Sequence, residues 1–414
     1  MLRCRICGNT CLTPIIDLGK QAVGSIFPKT KSQKVPSGPL ELLKCSEDKA
    51  GGTCGLVQLK ESYKKSMLYG WNYGYRSGLN RSMVAHLQEV VRKILQRTRV
   101  DSGDLVLDIG SNDGTLLRSY PQKGPLLAGI DPTGLKFKKY YPPHVRLIPD
   151  FFSAKTVRRA FGKRKAKIVT SLAMFYDLDS PMDFMREVGD ILADDGCWVL
   201  EQSYLPSMLA TTSYDTICHE HLEYYRLKQI HWMAQRTGFK IAAVEFNDIN
   251  GGSFLLKLVK TSFTRGKSAA LVRKLLNAEE RRGLGTLEPY RAFEKRVFRH
   301  REHIWDFFRR MQRQGKLVFG YGASTKGNVL LQFCKLSPKE LPAIAEINED
   351  KVGCFTPGTL IPIISEKAAR AARPDVMMVL PWHFKKGIVA RERNYLRTGG
   401  RLFFPLPSAH LVSR

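Results

Sequence analysis

Through the middle of the chain, short apolar runs alternate with stretches whose apolar residues recur every three or four positions. The runs DLVLDIG, LLAGIDP, AKIVTSLAM, GCWVLEQS, KIAAVEF and GSFLLKLV read as strands, and the segments between them as helices. Just ahead of them, Met83, Leu87, Val90, Val91, Ile94 and Leu95 share one helical stripe. This rhythm predicts an α/β fold, a doubly wound and mostly parallel sheet with helices on both faces. The last two runs flank NDINGG, so they are expected to form an antiparallel hairpin at the sheet's edge. From about residue 264 to 314 the chain is polar and basic, yet Phe293, Val297, Ile304, Phe307, Phe308 and Met311 fall on one stripe, predicting a helical connector. A second α/β unit begins at KLVFGYGASTKG and continues through AIAEIN, VMMVLP and RLFFPL. The expected units are 1–65, 66–263, 264–314 and 315–414.

The first unit is too short for a large core and is rich in cysteine. Of nine cysteines, five lie in the first 54 residues: Cys4, Cys7, Cys11, Cys45 and Cys54. The odd total, and an opening MLRCRICGNT without the apolar centre of a secretory signal, argue against a disulfide framework and predict a cytoplasmic setting. Cys4-x2-Cys7 makes a tight knuckle, relieved by Gly8, while Cys45 and Cys54 bracket a longer loop. Four thiolates suit a closed, structural, tetrahedral zinc, against the alternative of four buried free thiols. Cys11 is left as a bystander or substitute ligand. No apolar run approaches the roughly 18–20 residues of a membrane helix.

Charge changes the picture less than its size suggests. The 66 basic and 38 acidic residues leave +28, compatible with nucleic acid, an anionic membrane surface, a phosphorylated substrate, or mere solubility. The densest cluster, Arg158, Arg159, Lys163, Arg164, Lys165 and Lys167, reads as a solvated helix end.

The chemistry is carried by three segments. In LVLDIGSNDGTLL, residues 105–117, Asp108 ends a strand, Gly110 allows a tight turn and Gly114 opens the next helix. Asn112 occupies the second glycine position of a dinucleotide loop, and Asp108 and Asp113 are ill suited to phosphate. The segment resembles the first motif of class I S-adenosylmethionine-dependent methyltransferases, whose cationic cofactor tolerates them. Asp131, at the next strand's end, is placed to accept hydrogen bonds from both ribose hydroxyls. Ser171, Met174 and Phe175, after the fourth strand, are expected near the adenosine or methionine part.

The segment EQSYLPSMLATTSYDTICHEHLEYYRL, residues 201–227, lies at the carboxyl edge of the predicted sheet, where ligands bind. His219, Glu220 and His221 are consecutive, so they diverge on a helix or strand and make a poor metal site. Proton abstraction suits them better. Histidine ordinarily titrates near neutrality, so His221 is expected to serve as a base at physiological pH while Glu220 or a tyrosine orients and polarises, and methyl transfer to carbon needs a carbanion-like nucleophile that a base beside a carbonyl generates.

Together EQSY…YDTICHEHLEYY, NDINGGSF, GYGASTKGNVLLQF and the cysteine-rich start resemble the sugar C-methyltransferases that act on nucleotide-activated 4-keto-deoxysugars. The resemblance covers essentially the whole chain. It implies a zinc module, a central methyltransferase fold and a carboxy-terminal Rossmann-like domain, with substrate between the last two. It also implies His221 as base and Glu220 as assistant, with His219 beside them, whereas Cys218 stands where the family has a tyrosine. The family's upstream tyrosine falls on Tyr75, with Tyr73 next. In the last domain a glycine-rich turn presents N–H groups to an anion, and the resemblance implies that it holds the nucleotide diphosphate. Tyr73, Tyr224, Tyr321, Lys326 and His383 are the candidate substrate contacts. The competing expectations are a methyltransferase for RNA or another polyanion, motivated by +28, and a sugar-nucleotide binder without catalysis.

Overall fold

The computed structural model describes residues 2–47, 52–69, 74–263 and 269–413. Three strands open the chain: β1 (Leu12–Ala22), β2 (Ser37–Cys45) and β3 (Val57–Leu59). Five follow as β4 (Leu105–Ile109), β5 (Leu126–Ile130), β6 (Val145–Ile148), β7 (Ala166–Leu172) and β8 (Leu192–Ser203). The short β9 (Glu223–Tyr224) precedes β10 (Phe239–Asn247) and β11 (Ser253–Lys260). The last unit contributes β12 (Val318–Tyr321), β13 (Ile344–Glu346), β14 (Ile363–Ser365), β15 (Val376–Val379), β16 (Arg401–Phe404) and β17 (His410–Val412).

The central sheet has seven strands in the order β10-β11-β8-β7-β4-β5-β6. It is parallel from β8 to β6, while β11 runs antiparallel to both β8 and β10. This is the doubly wound arrangement with an edge hairpin that the apolar rhythm predicts. All five residues of β4 are buried, as a strand covered on both faces must be. One face is sealed by an aromatic cluster in which Phe175 lies 5.6 Å from Trp198 and 5.7 Å from Phe184. The indole N–H of Trp198 is satisfied by Ser171 Oγ at 2.9 Å, so the buried ring leaves no orphan donor.

The second α/β sheet has the order β14-β13-β12-β15-β16-β17, parallel except for the β16–β17 pair. Its crossing helix Glu288–Arg313 buries the predicted stripe, Phe293, Val297, Ile304, Phe307, Phe308 and Met311. Phe307 stacks on Phe403 of β16 with ring centroids 3.7 Å apart.

The amino-terminal sheet is not completed by its own segment. Its order is β1-β2-β3-β9, so residues 223–224, from the middle of the chain, supply the fourth strand. Val57 pairs with Tyr224 and Gln58 with Glu223, antiparallel. Arg5 reinforces the seam, donating to Leu59 O at 2.6 Å and lying 3.8 Å from the Glu223 carboxylate. Among the described residues no helix is long and apolar enough to cross a membrane.

Candidate active site

The loop leaving β4 makes one wall of a cavity of about 510 Å³, lined among others by Gly110, Asn112, Asp131, Met174 and Tyr75. Gly110 has φ +77, and a Cβ there would sit 3.0 Å from Met174 Cγ, so the turn requires glycine. Asn112 is the organiser. Its backbone N–H donates to Asp131 Oδ2 at 2.7 Å, its Oδ1 accepts from Ser77 N at 3.0 Å, and its Nδ2 donates to Tyr75 O at 3.2 Å. Asp131 Oδ1 in turn accepts from the Thr133 N–H at 2.7 Å and the Thr133 hydroxyl at 2.6 Å. Burial holds the Asp131 carboxyl above its ordinary range.

Other expected cofactor contacts lie behind this wall. Asp108 accepts from Thr170 Oγ1 at 2.6 Å, and burial pushes its carboxyl up to about 7. Asp113 is buried and accepts from Gly78 N at 3.1 Å and from Thr115 Oγ1 at 2.5 Å, shaping the turn instead of facing the cavity. Ser171 and Phe175 are fully buried in the aromatic cluster described above and do not line the cavity. Sequence position alone does not reveal this, because a strand end sends neighbouring side chains to opposite faces.

What the sequence reading missed is the sign of the cavity. Asp131, Asp177, Asp179, Asp183, Glu187 and Glu201 all line it, against one lysine, Lys65. In a chain of net charge +28 this concentration selects a cationic ligand. Glu201 is held by His86 Nε2 at 2.8 Å and by Asn247 Nδ2 at 2.8 Å. Phe151 and Phe152 add the apolar surface a purine needs. A glycine-cradled, acidic cavity with buried Asp131 at its rim fits S-adenosylmethionine, whose sulfonium and ammonium carry positive charge.

Beside the cavity runs the segment from Ser213 to Arg226. His221 is half-buried, and its Nδ1 donates to Thr216 O at 2.7 Å, which fixes the tautomer and leaves the lone pair on Nε2. The ring stands edge-on to Tyr176 at 4.5 Å, next to the cavity-lining Asp177, but is not itself part of the lining. Burial, and secondly the Lys326 ammonium, lower its pKa to about 3, so the imidazole is neutral at physiological pH. Glu220 is buried and neither carboxylate oxygen has a hydrogen-bond partner. Its charge adds to burial in pushing the Asp177 carboxyl well up.

Three expected contacts serve the framework. His219 turns to the amino-terminal sheet, its Nε2 3.3 Å from Gly38 O and its ring edge-on to Tyr63 at 4.7 Å. Tyr224 lies in β9, and its hydroxyl donates to Thr216 O at 3.3 Å. Tyr321 donates to Glu392 at 3.0 Å inside the last domain. Tyr73 lies outside the described residues, and Tyr75 is half exposed at the cavity mouth.

The last domain meets this segment through Lys326 and Trp382. Lys326 Nζ donates to Asn250 O at 3.0 Å, and Asn250 lines the cavity. Trp382 Nε1 donates to Asp215 at 2.7 Å. A Cβ on Gly251 would lie 3.0 Å from the Trp382 ring, so the NDINGG turn packs directly on the last domain. His383, adjacent to Trp382, keeps Nδ1 without a partner, and burial lowers its pKa well below the usual range.

The four cysteines Cys4, Cys7, Cys45 and Cys54 converge, with all sulfurs within 4.8 Å of one another. Cys4 and Cys54 sulfurs are 3.4 Å apart and those of Cys7 and Cys45 3.6 Å. A tetrahedron with Zn–S bonds of about 2.3 Å has edges of about 3.8 Å, so the donor set fits zinc. The long spacing between Cys45 and Cys54 is no obstacle, since both sit where β2 and β3 approach. Cys11 is exposed and outside the cluster.

Comparison with known proteins agrees with this geometry. Residues 4–69 match the family described as "Putative zinc binding domain", residues 83–244 a methyltransferase domain, and residues 248–407 a C-methyltransferase C-terminal domain. The C-methyltransferase NovU of Streptomyces niveus is 28% identical over 413 residues, 99% of this chain and 96% of that protein. Among solved structures, magnesium protoporphyrin IX methyltransferase of Synechocystis is 16% identical with a TM-score of 0.34, covering 44% of this chain and 88% of its own. An N1-methyltransferase of Burkholderia thailandensis is 10% identical with a TM-score of 0.33, covering 44% and 80%. Those two likenesses are too distant to bear on function. The zinc-binding, methyltransferase and C-methyltransferase C-terminal matches, in this order along the chain, together with the similarity to NovU over nearly its whole length, support an S-adenosylmethionine-dependent C-methyltransferase with a zinc-binding module.

Proposed function

We propose that the enzyme methylates carbon in a nucleotide-diphosphate 4-keto-deoxysugar, with His221 as the general base. One observation carries the reading: a neutral imidazole whose Nδ1 is tied to Thr216 O, leaving the lone pair on Nε2, set against Tyr176 beside the cavity-lining Asp177 and within electrostatic reach of Lys326. S-adenosylmethionine, when bound, supplies an electrophilic methyl group. His221 Nε2 takes the proton alpha to the ketone, and the Nδ1–H bond to Thr216 O steadies the imidazolium that forms. Lys326 and His383 receive the diphosphate, and Tyr75 closes the cavity mouth. A polyanionic substrate such as RNA is disfavoured, because it would approach a donor cavity in whose lining acidic side chains outnumber a single lysine, itself paired with Asp179.

Activation by the substrate follows from the same arrangement. In the free enzyme Lys326 is the second cause of the low His221 pKa, after burial. A diphosphate against Lys326 offsets that ammonium and raises the basicity of the imidazole only once the substrate is in place. Protonated His221 cannot act as a base, so activity is lost as pH falls through its pKa. The acid limb of kcat, which reports the substrate complex, is expected at higher pH than that of kcat/KM, which reports the free enzyme. Coincident limbs would count against this coupling.

The substrate assignment is tested by methyl incorporation across a panel of nucleotide-activated 4-keto-deoxysugars, with the methylated carbon assigned by NMR. Without the methyl donor, the wild-type enzyme is expected to exchange the alpha C–H of the true substrate with D2O. Methylation at oxygen or nitrogen, or no turnover on any keto sugar, would sink the proposal.

A further inference from the structure

A second concave site, remote in character from the first, lies between helix Glu288–Arg313 and the turn leaving β16. Its volume is about 650 Å³, and Arg296, Arg299, His303 and Arg310 line it on one side, with Ser408 and His410 opposite. Positions 296, 299, 303 and 310 fall on one helical face, so the charges point the same way. Asp306 is the sole lining acid, and Arg309 holds it at 2.7 Å. Arg296 is committed to Leu209 O at 2.6 Å and Thr212 Oγ1 at 3.3 Å. Arg299 and Arg310 have no acidic partner within ion-pairing distance among the described residues. Lys385 Nζ donates to His410 Nε2 at 2.7 Å, bringing another ammonium to the edge.

The floor is built, not loose. Phe307 stacks on Phe403, and buried His300 is fixed from both nitrogens, Nδ1 3.1 Å from the Tyr214 hydroxyl and Nε2 2.7 Å from Pro405 O. The groove also lies past the carboxyl end of β16, which runs parallel to β15, and such strand ends are where open α/β sheets bind ligands. Cations gathered in a concavity without counter-charges repel one another, and an anion relieves that repulsion.

We infer that this groove is an anion-binding site for a diphosphate or phosphate ester, held by Arg299 and Arg310. Two sources share that chemistry: a separate phosphorylated ligand, and the diphosphate of the sugar-nucleotide substrate if it is held here instead of against Lys326 and His383, which would overturn that part of the proposed function. The binding claim does not depend on the proposed reaction, and its readout is not turnover.

The test titrates inorganic pyrophosphate into the full-length Lys326→Met enzyme at low salt by calorimetry, so that the cleft ammonium contributes nothing. Saturable binding is expected. Adding Arg299→Ala and Arg310→Ala, both at exposed positions, should raise Kd by at least about tenfold. The control pair Lys295→Ala and Arg313→Ala, exposed on the same helix but outside the groove lining, should change it by no more than about threefold. No binding, or equal weakening by the control pair, overturns the site. The source is read in steady-state kinetics. Pyrophosphate competition with substrate that disappears in the Arg299/Arg310 variant assigns the groove to the substrate's diphosphate. Saturable binding without such competition assigns it to another phosphorylated ligand.

Discussion

With His221 replaced by alanine, methyl transfer is expected to fall by about two to four orders of magnitude, the usual worth of a positioned general base, with donor affinity within about twofold of wild type. The split follows from geometry. The ring stands beside Tyr176 and outside the cavity lining, so its removal leaves the Gly110, Asn112 and Asp131 framework intact. Alanine also deletes the hydrogen bond to Thr216 O, which is worth about 1 kcal/mol and holds the segment in place. His221→Asn separates the two effects, because its amide N–H keeps that donor while removing the basic nitrogen. Asparagine is therefore expected to be as inactive as alanine, and neither variant should exchange the substrate's alpha proton with D2O. If either variant retains more than about a tenth of wild-type turnover, the imidazole is not the base.

The second large effect lies far from the chemistry in sequence. Cys54→Ser, or stripping zinc with a chelator, is expected to unfold the amino-terminal sheet and lower turnover by at least about a hundredfold. A structural Cys4 zinc contributes on the order of 10–16 kcal/mol, comparable with the whole stability of a domain. Cys45 ends β2, and Cys54 lies three residues before β3, which binds β9 directly after His221. Loss of the metal frees β3, and the strand that fixes the exit of the catalytic segment goes with it. Zinc content by a colorimetric indicator, far-UV circular dichroism and turnover should fall together. A metal-free protein with full activity would refute the coupling.

How much of this was legible beforehand depended on the range of the interactions. The strands of the central sheet announce themselves because β4, β5, β7 and β8 each hold a run buried on both faces, which is largely apolar. β6, β14 and β17, like β1, β2, β3 and β9 of the first sheet, are not legible because none holds more than two consecutive apolar residues, whereas the equally short β15 and β16 are apolar runs. The glycine turn at Gly110 was readable because its φ excludes other residues. The acidity of the donor cavity was not, since Asp177, Asp183, Glu187 and Glu201 come from separate segments and meet only in three dimensions. His219, expected to assist His221, and Tyr224, expected to touch substrate, misled for the opposite reason. Adjacency in sequence placed them near the base, but one faces Gly38 and the other sits in β9, both bracing the amino-terminal sheet.

The borrowed strand Glu223–Tyr224 sets a rule for engineering. Because the first sheet closes only with residues from the segment that carries the proposed base, the first 60 residues and the stretch 201–227 form a single inheritable block. A chimera that takes its metal clip from one homologue and its central domain from another would mismatch that seam, whatever junction is chosen in the intervening chain. Exchange of the carboxy-terminal unit crosses no shared sheet, but it cuts a core shared with β1 and β2 and the bonds from Gln332 to Ala22 and from Asn328 to Gly24, so a graft there has to carry those contacts as well.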